Sequence, residues 1–178
     1  MRRTSRIPRV AVLAALAALA LLPTATAQAG GGLSTNSSPT VAGSKAKLVK
    51  GKAIAPADAP RRVQKVIAAA NRIRNKPYVW GGGHGNWKDN GYDCSGAVSY
   101  ALHGGRLLNT PLDSTGLSRY GKKGKGSWIS VYGNPSHAYM IVAGLRFDTS
   151  MTPGNGPGWS KTKRSTSGTF KVRHPRGL

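Results

Sequence analysis

The sequence predicts an α+β domain in which N-terminal helices pack on an antiparallel β-sheet. Three observations predict it. Apolar residues recur at helical spacing over 63–73 and again over 94–102. Later segments, 137–143 and 169–174, alternate with period two instead. Between them the chain offers strand-and-turn punctuation rather than further helical stripes, and helices first with strands afterwards is the α+β pattern.

The first helix follows from Val63, Val66, Ile67, Ala70 and Ile73, which share one face. Asp58 is placed to cap it, with Pro60 in the first turn where a missing N–H costs nothing. Lys76-Pro77 ends it. "YVW" (78–80) is a short apolar piece, and "GGGHGNWKDNG" (81–91) is a loop by composition. The second helix carries Cys94, Ala97, Val98, Ala101 and Leu102 on its inward stripe, with Asp93 as N-cap and Gly104-Gly105 at its end. Residues 106–127 are loop-like and include the basic knot "GKKGKG" (121–126). "WISVY" (128–132) and "HAYMIVA" (137–143) are strands separated by the turn "GNPS", and "LRFD" (145–148) returns after Gly144. "MTPGNGPG" (151–158) is loop, and "TFKVRH" (169–174) is a closing strand. If the hairpin turns at Ala143-Gly144, Val142 pairs with Leu145, and Asp148 and Ser150 both emerge on the His137 face.

The N-terminus has the layout of a secretory signal peptide over 1–27. Arg2, Arg3, Arg6 and Arg9 precede an apolar run of 13 residues, Val10 to Leu22, and Ala25-Thr26-Ala27 is a small-x-small cleavage site. The run is shorter than the roughly 20 residues a spanning helix needs, so no transmembrane segment is expected after cleavage. Residues 28–57, rich in Gly, Ser, Pro and Lys, are expected to form a flexible basic linker, and 58–178 the functional domain.

Formal net charge is +22, with 27 Lys and Arg against five acids, all of them aspartates. Such a surface is drawn to polyanions, and export favours anionic cell-wall polymers over nucleic acid, for which no specific partner is expected. Trp80, Trp87, Trp128 and Trp159 are expected in the core or lining a cleft rather than as a base-stacking platform.

Cys94 is the only cysteine in a chain that looks exported, where cysteines usually pair. A lone thiol in the first turn of a helix is a candidate nucleophile once an imidazolium lies beside it. Asp93 opposes a second negative charge there, so a histidine partner is required. His137, opening a strand after a proline turn, is the best of the four histidines. His84 sits in the glycine loop and lines the site, His103 suits a helix C-terminus, and His174 is expected at the surface. A base needs an orienting group on its other nitrogen, and Asp148 or Ser150 supplies it. No ligand pair has metal-binding spacing, and neither metal nor cofactor is expected.

These residues resemble a family. Pro77-Tyr78-Val79-Trp80-Gly81-Gly82-Gly83, then Asp93-Cys94-Ser95-Gly96, then Ser136-His137-Ala138, are similar to the motifs of the NlpC/P60 cell-wall peptidases, which have a papain-like fold. The resemblance implies a thiol endopeptidase of peptidoglycan stem peptides, acting at a bond between γ-D-glutamate and a diamino acid. It implies Cys94 as nucleophile, His137 as base and Asp148 as third member, with Tyr78, Asp93 and Ser95 holding substrate. It places the protein outside the cell, at the wall. The strand before His137 ("GSWISVY") and the basic loop 121–126 depart from the family pattern. The alternative is a catalytically inactive, wall- or polyanion-binding domain of the same fold.

Overall fold

A computed structural model describes residues 38–150, 156–164 and 169–178. The signal-peptide segment lies outside the described residues. The element order is β1 (Thr40–Val41), β2 (Lys47–Val49), β3 (Lys52–Pro56), α1 (Arg61–Ile73), α2 (Cys94–Gly104) and α3 (Ser114–Leu117). There follow β4 (Lys122–Lys123), β5 (Ile129–Gly133), β6 (Ala138–Val142), β7 (Leu145–Asp148), β8 (Gly158–Ser160) and β9 (Lys171–His174). The main sheet is antiparallel with strand order β4-β9-β5-β6-β7-β8. The α+β architecture is the predicted one.

Both long helices form where the apolar spacing requires them. Val63, Val66, Ile67, Ala70 and Ile73 of α1 are buried, as are Ala97, Val98, Ala101 and Leu102 of α2. Helix α2 lies on β6 and β7, and α1 lies on α2 and β3. The core fills the space between the helices and one sheet face, with Tyr92, Leu102, Ile129, Met140 and Phe147 fully buried. Gly104 lets the two helices close, since a Cβ there would stand 2.3 Å from the Ala69 Cβ. Arg62 closes the far end of α2 by donating to the carbonyls of Gly105 and Arg106, where a cation suits the helix dipole.

Besides Trp80, which is expected in the core or lining a cleft and is 87% exposed, two sequence expectations are corrected. Residues 38–57 are not a flexible linker. They build a small three-stranded sheet, β1-β3-β2, whose Ala53 and Ala55 join the core. Strand β3 alternates, but its inward residues are alanines, which carry little hydrophobic signal. Asn71 fastens this sheet to the rest: its Oδ1 accepts from Ala53 N (3.0 Å) and Trp159 Nε1 (3.1 Å), and its Nδ2 donates to Ala53 O (2.8 Å). Second, Asp58 does not cap α1. Pro60 occupies the N-cap position, with no side-chain cap bond, and Asp58 donates its N–H to Gly43 O instead.

The hairpin between β6 and β7 turns at Ala143 and Gly144, whose φ values of 46° and 90° are those of a tight two-residue turn. Val142 pairs with Leu145, Ile141 with Arg146 and Met140 with Phe147. This is the register that puts Asp148 on the His137 side. Strand β8 begins at Gly158, the last residue of the stretch 151–158 that composition assigns to loop and of which 151–155 lie outside the described residues, and it pairs with β7.

Candidate active site

The site begins at the glycine loop. Pro77 O accepts from Tyr92 N (3.0 Å) and Val79 N donates to Tyr92 O (3.3 Å), so the strand-like piece 77–79 runs beside Tyr92. Asp89 Oδ2 accepts from Gly83 N (2.9 Å), and the Tyr92 hydroxyl donates to Trp87 O (2.7 Å). Trp87 stacks on His103 with ring centroids 3.9 Å apart, while His103 Nδ1 bonds to Leu108 O at 2.9 Å. His103 therefore anchors the loop as well as ending the helix. His174, expected at the surface, is half-buried and bonds to Gly124 O (3.0 Å).

Asp93 is the N-cap of α2. Its Oδ1 accepts from Gly96 N (2.7 Å) and Ser95 Oγ (3.1 Å) and lies 3.1 Å from His84 Nε2, and its Oδ2 accepts from Gly81 N (3.1 Å). His84 Nε2 is also 3.1 Å from Ser95 Oγ. Asp93 and Ser95 are thus buried and bound to their neighbours. Together with His84 they hold the loop against the helix start.

Gly96 is fixed by contact. A Cβ there would sit 2.0 Å from Gly82 O, backbone against side chain with nothing flexible to yield. Gly96→Ala is expected to cost about 3 kcal/mol by overpacking, lowering the melting temperature by roughly 6–12 °C for a domain of this size. Gly85→Ala, where a Cβ meets nothing within 4 Å, is the control and should leave the melting temperature unchanged.

Cys94 opens α2 and is a free thiol, 9% exposed. His137 reaches it from the opposite side. Asn134 Oδ1 accepts from His137 N (2.8 Å), Ser136 N (3.0 Å) and Ser136 Oγ (3.1 Å), and Asn134 N donates to His137 O (3.0 Å). This Asx turn fixes the imidazole at the mouth of β6. The Cys94 thiol is near enough to the imidazole to help raise its pKa, and the imidazole Nε2 is 2.9 Å from Asp148 Oδ1. With Nε2 so engaged, Nδ1 is the nitrogen left to the thiol.

Of the two orienting candidates, Asp148 is the one in contact with His137. Its side chain is wholly buried, whereas Ser150 donates its N–H to Asp148 Oδ1 (3.3 Å) and turns its hydroxyl to Arg164. A third residue, not recognised in the sequence, completes the cluster. Arg164 Nη1 donates to Asp148 Oδ2 (2.9 Å) and Ser150 Oγ (2.7 Å) and lies 3.4 Å from His137 Nε2. Arg146 Nε lies 3.7 Å from Asp148 Oδ2. No local signal distinguishes Arg164 from the other cations of a basic chain.

Burial would lower the His137 pKa, but hydrogen bonds to Asp148 and Cys94 and their negative charge outweigh it and raise it to about 9. Burial likewise opposes ionisation of Asp148, yet His137, the Ser150 N–H and Arg164 hold its carboxyl down at about 2. The pair is therefore imidazolium and carboxylate at neutral pH. Tyr78 is raised by burial, then by the Cys94 and Asp93 charges, which places its hydroxyl near the thiol. Tyr78, His137, Thr149, Ser150 and Arg164 line a cleft of about 200 Å³. Among the described residues there is no group of three or more His, Cys, Asp or Glu side chains that could hold a metal, and no helix long and apolar enough to cross a membrane.

No protein-family model and no curated protein matches the chain. Solved structures do. The resuscitation-promoting-factor-interacting protein RipA, in a variant mutated at a histidine, aligns with TM-score 0.50 and 20% identity over 65% of this chain and 62% of that one. A hypothetical invasion protein of Mycobacterium tuberculosis aligns with TM-score 0.49 and 22% identity, over 65% of this chain and 62% of that one. RipD of the same organism, described as a non-catalytic NlpC/p60 domain protein adapted to peptidoglycan binding, aligns with TM-score 0.49 and 21% identity, covering 67% of this chain and 100% of that one. The chain thus spans about 62% of the RipA structure. At this identity the likeness is one of fold: the α+β architecture expected of the NlpC/P60 proteins is the one this chain shares with RipA.

Proposed function

We propose that the protein is an exported cell-wall hydrolase that cleaves peptidoglycan stem peptides with a thiol nucleophile. The observation carrying the proposal is the convergence of the chain's one cysteine, at a helix N-terminus, on a histidine that a buried aspartate holds from behind. In this reading His137 carries the proton of the Cys94 thiol. The thiolate attacks the amide carbonyl carbon, and the negative oxygen accepts from the Cys94 N–H, which as the first in its helix has no intrahelical partner. His137 then gives its proton to the leaving amine as the C–N bond breaks, leaving a thioester. Water, deprotonated by His137, hydrolyses the thioester and restores the thiol. The resemblance to the NlpC/P60 peptidases points to the bond between γ-D-glutamate and a diamino acid. The positive surface would concentrate the enzyme on an acidic wall.

The experiment is digestion of purified sacculi with product identification by mass spectrometry. Free stem fragments with a new amine on the diamino acid are expected. The rate should fall as pH rises through about 9, because His137 then loses the proton the leaving amine needs. A rate unchanged through that value would remove His137 as the acid.

A second reading, a non-catalytic wall-binding domain, is favoured by the surplus of cations. It predicts salt-sensitive wall binding with no released fragments.

A further inference from the structure

The main sheet has a second face. Residues Ile129, Val131, Met140 and Val142 point to the helices and are buried. The intervening residues of β5, β6 and β9 point the other way. Tyr132 and Tyr139, opposite one another across β5 and β6, stack with centroids 4.5 Å apart. Phe170 meets Tyr139 edge-on at 5.1 Å. Tyr139 itself is buried, and the half-buried Tyr132, Phe170 and Trp128 that cover it floor a trough of about 570 Å³, more than twice the cleft at His137. Its rim is cationic: Lys45, Lys125 and Lys163 are exposed along it, and no Asp or Glu lines it. Arg164 closes one end. Its guanidinium carbon lies 5.9 Å from the centroid of the Tyr139 ring and 6.0 Å from that of Phe170, and the same side chain lines the cleft at His137. Trough and cleft therefore meet at Arg164.

We propose that this trough is a binding site for an anionic polysaccharide. Aromatic walls take the apolar faces of sugar rings, and a rim of lysines without a carboxylate takes the negative groups borne along such a chain. The Tyr132 and Tyr139 rings lie in van der Waals contact, which leaves no gap for a nucleobase to enter between them. The floor is thus suited to a chain lying along it. Continuity with the cleft through Arg164 lets one polymer engage both. The proposal does not depend on the cysteine chemistry: a Cys94→Ala chain should bind as the native chain does.

The test is titration calorimetry of the full chain with a short oligogalacturonate, which bears a carboxylate on every sugar, and with a neutral cello-oligosaccharide of the same length. The oligogalacturonate should bind, and more weakly as salt is raised. A Lys45→Gln/Lys125→Gln/Lys163→Gln variant should lose about tenfold in affinity while hydrolysing a small, uncharged stem-peptide substrate at the native rate. Phe170→Ala should weaken binding as well, with the salt dependence kept. The proposal is overturned if the triple lysine variant binds undiminished, if the neutral oligosaccharide binds as tightly, or if a single-stranded oligonucleotide of equal charge displaces the sugar on equal terms. Failure of sacculus digestion with oligogalacturonate binding intact would overturn the catalytic reading alone.

Discussion

A Cys94→Ser chain should release stem peptides at least about 10⁴-fold more slowly than the native chain and keep its melting temperature. The loss is large because removing the nucleophile of a cooperating set removes nearly all that the set contributes. A serine hydroxyl keeps the shape of the thiol but ionises far less readily, so the proton shared with His137 stays on the oxygen. Stability is spared because Cys94 forms no disulfide and the cap of α2 belongs to Asp93. Mass spectrometry of sacculus digests and a thermal melt of the same preparation read both halves of the expectation. A Cys94→Ser chain that digests sacculi at a comparable rate would end the thiol mechanism, whatever the fold resembles.

The second large effect concerns Asp148. Asp148→Ala removes a carboxylate that faces His137, Arg164 and Arg146 together. Taking one partner from a buried ion pair costs about 3–5 kcal/mol. The lower end applies here, since His137 can release its proton and Arg164 is partly exposed. Turnover should fall by about 10²–10⁴, because the imidazole loses both its orientation and the charge that keeps it protonated. Asp148→Asn separates these roles by keeping the volume and an acceptor oxygen while removing the charge. With it, the alkaline limb of the rate profile should move down from about 9 towards the ordinary histidine value of 6.5. Stability carries the same signature. A histidine whose pKa is raised by folding stabilises fully below 6.5 and loses that contribution as pH climbs through about 9, so native stability should decline across this window. The Asp148→Asn chain should show a flatter profile there in chemical denaturation. Ser150→Ala, whose side chain meets Arg164 rather than His137, should have the smaller effect on rate.

The parts of this molecule legible from sequence are those with a strong local signal. Helix α2 announces itself through its apolar stripe, its Asp93 cap and its closing glycines. The β6–β7 register follows from Ala143-Gly144, since once a tight turn is placed the alternation of Val142, Ile141 and Met140 leaves no second pairing. The turn at Ala143-Gly144 is what brings Asp148 to His137. Elsewhere the determinants are long-range or weak. Strand β3 buries alanines, whose apolar surface is too small to stand out among lysines and glycines. Strand β8 is three residues in a Gly/Pro stretch, held by its pairing with β7 and by Trp159 reaching Asn71. Arg164 enters the site through the length of its side chain from a segment without periodicity. The nearness of Asp93, Ser95 and His84 to Cys94 is legible in sequence, but that they bond to one another is a fact of three dimensions.

One carboxylate, that of Asp93, holds the amide of Gly81 in the loop and the amide of Gly96 in the helix. Loop and helix start therefore share one anchor: an opening that carries the carboxylate away releases both amides at once. In hydrogen exchange an Asp93→Ala chain should lose protection at both amides together. A single side chain thus couples the loop to the turn that carries Cys94.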